Sequence, residues 1–339
     1  MKAKIKTQAL QDSLKIINSA IVKRKEGDLL KLQAENNKLR LLYFTHDSAM
    51  FIGIDVEDIE DGKVICDMKH FSGIIGSIKD SELILSSSEK KLSITSGNTK
   101  INIPIMPESI DMFEEEIVEE FSLPTAIPII ERASSFNNSK VVISDGHVIS
   151  TDGRIFCSYK SSLPMNGAIE KSNIGQIRRI SNDIKGIYET SNKYVFKIPN
   201  GTFMVRKSTV EKQMSSIHAK LLEVEKNDCT AIVSLSKSKL LNILTTSLYI
   251  SDNANIDISA NKLTLSVEGN GSYSGGMEIE NQVPTPLTFA CNSRHLESIL
   301  KDIEKDGIEI KTGEKTKIPI VIREKDNTDN LYVTSKVVV

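Results

Sequence analysis

The residue types that most often perform chemistry are all present in this 339-residue chain, but their spacing builds none of the usual sites. The run Ser144-Asp145-Gly146-His147 holds nucleophile-like and base-like side chains. Catalytic triads are assembled in space rather than from consecutive residues, however, and Asp-Gly is above all a turn signal. The five histidines (His46, His70, His147, His218 and His295) pair with no acid or cysteine at ligand spacing, so no metal is expected. Cys66, Cys157, Cys229 and Cys291 lie 62 to 91 residues apart, which is neither a zinc spacing nor a disulfide framework, and they are expected to be buried thiols. The glycine-rich stretch Gly269–Gly276 falls between strands rather than between a strand and a helix, so it is not a dinucleotide loop, and no cofactor is expected. No catalytic residue is assigned.

What remains is electrostatics. Net charge is −2, from 43 basic and 45 acidic residues, yet the distribution is uneven. Lys171–Lys185 carries Lys171, Arg178, Arg179 and Lys185 against the single acid Asp183, whereas Pro107–Glu120 carries seven acids and no base. Basic residues gathered on particular helices of a near-neutral protein point to a local polyanion-facing surface.

The elements that must position those charges repeat three times. Amphipathic helices are predicted over Gln8–Ala20, Thr125–Phe136 and Ser238–Tyr249, and second helices over Met68–Asp80, Asn173–Asp183 and Asn292–Ile303. Alternating strands follow each first helix, turning at Glu35-Asn36-Asn37, Ser144-Asp145-Gly146 and Ala260-Asn261-Lys262. A second hairpin follows each second helix, beginning at Glu82, Gly186 and Gly307. A period of this length matches a small domain, and helices on one face of antiparallel sheets make an α+β pattern. The acidic stretch Met112–Glu120 and the charged segment Val224–Asp228 then divide the chain into domains at 1–117, 118–226 and 227–339.

An apolar content of 39 % suits ordinary cores, and no apolar run approaches the roughly 20 residues of a membrane span. The charged start, MKAKIKTQALQDSL, lacks the pattern of a signal peptide, so a cytoplasmic location is expected and no membrane partner. With no tryptophan and 5 % aromatics, the chain is poor in the stacking platforms that grip single strands.

Three stretches carry a family resemblance. Ser150-Thr151-Asp152-Gly153-Arg154 is similar to the T-D-G-H/R signature of bacterial sliding clamps, the beta subunit of DNA polymerase III. Met277-Glu278-Ile279-Glu280 followed by Phe289–Leu296 resembles the family segment ending in F-N-x-x-Y-L. Pro319–Ile322 and Leu331–Val339 resemble its P-x-x-I strand and its C-terminal strand. With the threefold repeat, the likeness covers the whole chain.

The resemblance implies a non-enzymatic processivity factor in DNA replication: a ring of two chains, with helices toward a central hole and sheets outward. Double-stranded DNA would pass through without sequence readout, facing Lys15, Lys69, Lys79, Arg132, Lys171, Arg178, Arg179, Lys237, Lys239, Arg294 and Lys301, with Arg24 on a basic loop. It also implies a groove that takes short linear peptides from a polymerase and a clamp loader. One wall would be Thr151, Gly153, Arg154 and Phe156, the other Pro319, Tyr332, Val333, Val337 and Val338, with Val141 nearby. In the homodimer, Ile101 and Ile103 would meet Leu248 and Tyr249 of the second copy.

The chain departs from the family at its end, Ser335-Lys336-Val337-Val338-Val339, and at Gly201–Arg206, where a proline-containing turn is usual. A divergent clamp with its own polymerase, of the sort a mobile element carries, has this pattern. Two other readings stay open on the residues alone: an oligomeric scaffold of repeated α+β domains that binds no DNA, and a small-molecule enzyme with its site at a domain interface.

Overall fold

The computed structural model describes residues 1–21, 28–107, 127–136, 140–161, 163, 166–208, 213–258, 262–268, 274–280, 286–315 and 317–337. Among them are seven α-helices: α1 (Thr7–Ala20), α2 (Met68–Ser77), α3 (Ile127–Ser134), α4 (Lys171–Arg179), α5 (Gln213–Asn227), α6 (Lys237–Ser247) and α7 (Ser293–Asp302). Six lie where the 3.6-residue period of apolar positions puts them, as in α1, where Leu10, Leu14 and Ile17 are buried. Local chemistry sets several starts. The Asp67 carboxylate accepts from the His70 amide (2.8 Å) at the head of α2, and the Asn292 side chain accepts from the Arg294 and His295 amides (both 3.1 Å) at the head of α7. The predicted helix over Asn173–Asp183 breaks at Ile180 into α4 and a single 3₁₀ turn, Ser181–Asp183. The tight hairpins also form as expected. Asn36 and Asn37 (φ 52° and 59°) and Asp145 and Gly146 (φ 51° and 71°) hold the left-handed conformations that two-residue turns require.

α5 is the element that periodicity did not reveal. Its inward positions are Met214, His218, Leu221 and Glu225, so polar residues interrupt the apolar stripe, and its last turns run through the charged segment expected to be a boundary.

Chain contacts group the protein into two compact units, Met1–Ile127 with Ile169–Ser208, and Pro128–Ala168 with Thr209–Val339. The first unit holds a five-stranded antiparallel sheet, in the order Glu57–Glu60, Lys2–Lys6, Glu82–Ser87, Lys91–Ser96, Thr99–Pro104. Its seven-stranded sheet runs Gly186–Glu189, Lys193–Ile198, Gly201–Arg206, Ser48–Asp55, Lys38–Phe44, Leu29–Glu35, Gly62–Asp67. The second unit holds an eight-stranded sheet: Gly167–Glu170, Lys140–Ser144, His147–Thr151, Ile155–Lys160, Asn330–Thr334, Ile320–Glu324, Gly307–Thr312, Ala231–Ser236. Its four-stranded sheet runs Ser274–Glu280, Lys262–Glu268, Asn253–Ile258, Leu287–Asn292. The architecture is α+β.

The middle repeat is shared between the units, and each large sheet is a joint between repeats. In the first unit Gly201–Arg206 is added to Ser48–Asp55, with Met204 opposite Ala49; in the second, Asn330–Thr334 is added to Ile155–Lys160, with Val333 opposite Phe156.

Candidate nucleic-acid interface and partner groove

In the first unit α1 lies against both α2 and α4 with its apolar stripe buried, which leaves charged side chains on the outer turns. Lys15 is exposed and pairs with Asp12 at 2.9 Å, and Lys69, Lys79, Lys171 and Arg178 are exposed. Arg179 is also exposed but donates to the Ile21 carbonyl at 2.6 Å, tying α4 to the end of α1. In the second unit α6 packs on α7. Lys239 is exposed, Lys237 donates to the Ile303 carbonyl (2.8 Å), Arg294 pairs with Asp252 (2.6 Å) and Lys301 pairs with Glu297 (2.9 Å). Arg24 lies outside the described residues.

Arg132 does not share this exposed setting. It belongs to a network under the eight-stranded sheet, where its guanidinium donates to Asp302 (3.1 Å), Glu304 (2.6 Å) and the Tyr332 hydroxyl (3.1 Å) and lies 5.1 Å from the centre of the Tyr159 ring. Asp302 also accepts from the Tyr159 and Tyr332 hydroxyls, at 2.7 and 2.8 Å. Burial opposes the Arg132 charge, but the hydrogen-bonded Asp302 carboxylate prevails and raises its pKa; burial likewise pushes both phenols up. A side chain held this way is a fastener between α3 and α7 rather than a mobile phosphate contact.

The proposed groove residues divide by the pleat. Side chains alternate faces along a strand, so Phe156 and Val333, which face each other across the joint, point the same way, while Tyr332 points to the opposite face with Tyr159. Val141, one residue from Val142 of the Phe156 cluster, lies on the Tyr332 side. Val141 and Tyr332 are fully buried and do not share a wall with Phe156 and Val333, a correction that follows from the two-residue period. Phe156 and Val333 are themselves 6 % and 5 % exposed.

Around them, Thr151 accepts from the Gly153 amide (3.0 Å) and Asp152 accepts from the Arg154 and Ile155 amides (2.8 and 2.7 Å), building a tight turn with Gly153 at φ 87° and Arg154 exposed. The Pro319 carbonyl accepts from Thr312 at 3.0 Å, the Lys336 ammonium donates to the Gly313 carbonyl, and the Val337 amide donates to the Ala290 carbonyl at 3.0 Å. Val338 lies outside the described residues.

Solved structures match the fold along the full length of the chain. Caulobacter crescentus DNA polymerase III beta matches over all of both chains with a TM-score of 0.82 at 16 % identity. The fold is that of a bacterial sliding clamp. A sliding clamp from Pseudomonas aeruginosa bound to griselimycin matches over all of both chains (TM-score 0.75, 15 % identity). The DNA polymerase III beta subunit from Thermotoga maritima matches over all of this chain and 99 % of its own (TM-score 0.73, 15 % identity). No family model matches the sequence, and no curated protein sequence matches it.

On the clamp fold, Ile101 and Ile103 sit on Thr99–Pro104, the outermost strand of its sheet; Ile101 is half-buried and Ile103 buried. Leu248 and Tyr249 follow α6, which lies against Ser274–Glu280, and Tyr249 is 89 % exposed. The four cysteines are free and buried, and burial pushes the Cys66 and Cys291 thiols up to about 12. Among the described residues no His, Cys, Asp and Glu cluster could hold a metal, and no helix is long and apolar enough to cross a membrane.

Sequence reasoning missed α5, which packs on the sheet face of Phe156 and Val333, and missed Asp302 as the partner of Arg132. The first could have been found from Met214, His218, Leu221 and Glu225 at helical spacing; the second, 170 residues away in sequence, left no local signal.

Proposed function

We propose that this chain is a non-catalytic sliding clamp that closes as a head-to-tail homodimer around double-stranded DNA and tethers a replicative polymerase and its loader in the cytoplasm. The observation that carries the reading is a mismatch of sheet edges. The last strand of the second repeat is added to the first sheet of the first repeat, and the last strand of the third repeat to the first sheet of the second. The same rule leaves two outermost strands over, Thr99–Pro104 at the end of the first repeat and Ser274–Glu280 in the third. A second copy completes both pairs, because strand edges with unpaired amides and carbonyls are templates for one another and a heterologous contact repeated twice closes a ring. Three domains per chain, at 1–117, 118–226 and 227–339, then make six.

The exposed Lys15, Lys69, Lys79, Lys171, Arg178, Lys239, Arg294 and Lys301 on or beside α1, α2, α4, α6 and α7 suit phosphate contacts that are weak and interchangeable, as sliding requires. Partner peptides enter at Phe156 and Val333, with Thr151, Gly153, Arg154, Pro319 and Val337 as the rim.

Sedimentation equilibrium tests closure: the expected mass is twice 37.6 kDa, and Leu248→Asp gives monomers. Retention on closed circular DNA with loss from linear DNA tests encirclement. A dimer that leaves both at the same rate would instead be a scaffold without DNA. Replacing Lys171 and Arg178 by Glu lowers the salt slope of retention by roughly 0.9 for each phosphate that is no longer neutralised.

A further inference from the structure

On the sheet face that carries Phe156 and Val333, an element of the chain's own is already seated. α5 inserts Met214 and Leu221 into one apolar cluster with Val142, Ile149, Phe156, Val321, Leu331 and Val333. The His218 ring stacks on Phe156, with centroids 6.0 Å apart and planes inclined by 23°. Polar contacts fasten the helix at both ends. Near its start Ser215 donates to the Ser144 hydroxyl at 2.9 Å; near its end Glu225 accepts a two-pronged contact from Arg323 (2.6 and 2.7 Å) and a third bond from Lys311 (3.0 Å).

We propose that α5 is an intramolecular occupant of the partner groove, and that a partner's apolar segment binds by displacing α5 from Phe156 and Val333. This rests on the groove assigned above. The attachment is of the kind that releases. The contact on the sheet is confined to one stripe of a 15-residue helix, the opposite side of which is solvent-exposed at Ile217, Lys220 and Glu223, and the two ends are held by one hydroxyl hydrogen bond and by the ion pairs of Glu225 with Arg323 and Lys311. An apolar peptide competes for the cluster but not for the anchors, so apparent affinity equals intrinsic affinity multiplied by the fraction of chains with α5 open. Partners able to pull or melt α5 are favoured over short peptides that cannot, and the chain thereby gains a selectivity that Phe156 and Val333 by themselves would not supply.

The paired substitution Ser144→Cys and Ser215→Cys places two thiols where the hydroxyls now touch, so a disulfide can lock α5 down, while the four natural thiols are buried. The probe is griselimycin, which a related clamp binds. The full-length dimer is titrated in oxidised and reduced forms, with Glu225→Ala as a second, loosened variant. The expected result is affinity at least about tenfold weaker when oxidised than when reduced, and about threefold tighter than wild type for Glu225→Ala. Equal binding by the oxidised and reduced forms overturns the displacement proposal and leaves the groove standing. Failure of every form to bind, the loosened variant included, overturns the groove itself and this proposal with it.

Discussion

The two compact units join neighbouring repeats by the same device, a strand added across a sheet, but secure the joint with different chemistry. In the first unit, one face of the joint is an apolar cluster of Leu42, Phe44, Ala49, Phe51, Val195 and Met204. Its closest approach is backbone on backbone: a Cβ at Gly201 would lie 1.8 Å from the Phe51 carbonyl oxygen. In the second unit the joint has α5 on one face, held through the Glu225 ion pairs, and on the other the Arg132, Asp302, Tyr159 and Tyr332 network. Apolar burial is insensitive to pH and tolerant of small shifts, whereas a buried polar network depends on every member keeping its charge and partner. The first joint should therefore fail by steric change, and the second by loss of charge.

The largest expected effect is that of Asp302→Ala, which leaves the Arg132 guanidinium without its part-buried carboxylate and two tyrosine hydroxyls without their acceptor. A cost of about 3 kcal/mol is expected, with hydrogen-exchange protection lost in the second unit before the first. If protection falls equally in both units, the network is not specific to one joint.

Gly201→Ala is the matching change in the first unit. The added methyl forces the strand from Phe51, at a cost of about 2–3 kcal/mol that exchange should localise to Gly201–Arg206 and Ser48–Asp55. Stability close to wild type would mean that the joint can part without penalty.

Acid distinguishes the two joints further. Burial, then the neighbouring His147 and Arg323, lowers His218 from 6.5 to about 4, so between those values the unfolded chain binds the extra proton and stability falls as pH falls. Burial by itself would raise Glu225, but the Arg323 fork and Lys311 overcome it and hold its pKa below the ordinary value, so its contribution too is lost on acidification through that folded value. Acidification from pH 7 to pH 4 should destabilise the second unit by about 2 kcal/mol through α5, leaving the apolar cluster of the first unaffected. Exchange of α5 amides read against those of Lys193–Ile198 checks it, and His218→Phe should flatten the profile.

The smallest effect belongs to Arg179→Ala. It removes one part-buried hydrogen bond, to the Ile21 carbonyl, and about 0.5–1 kcal/mol, measured by urea unfolding. A loss as large as that from Asp302→Ala would erase the contrast between the units.

Much of this fold is legible in the sequence. The turns at Asn36-Asn37 and Asp145-Gly146, the stripe Leu10, Leu14, Ile17 and the cap Asn292 are set by contiguous residues, because turn conformations, helical period and capping bonds span only a few positions. Repetition of those local signals was enough to expect three α+β repeats. The tertiary structure decided the rest. It placed Val141 and Tyr332 on the sheet face opposite to Phe156 and Val333, since facing depends on strand register, which the order of residues along a chain does not contain. It revealed α5, whose stripe includes a histidine and a glutamate that only their buried partners Phe156 and Arg323 make favourable. It also withdrew Arg132 from the phosphate-facing set, because the acid that holds it comes from the far end of the chain, and no local pattern encodes a partner that only folding brings near.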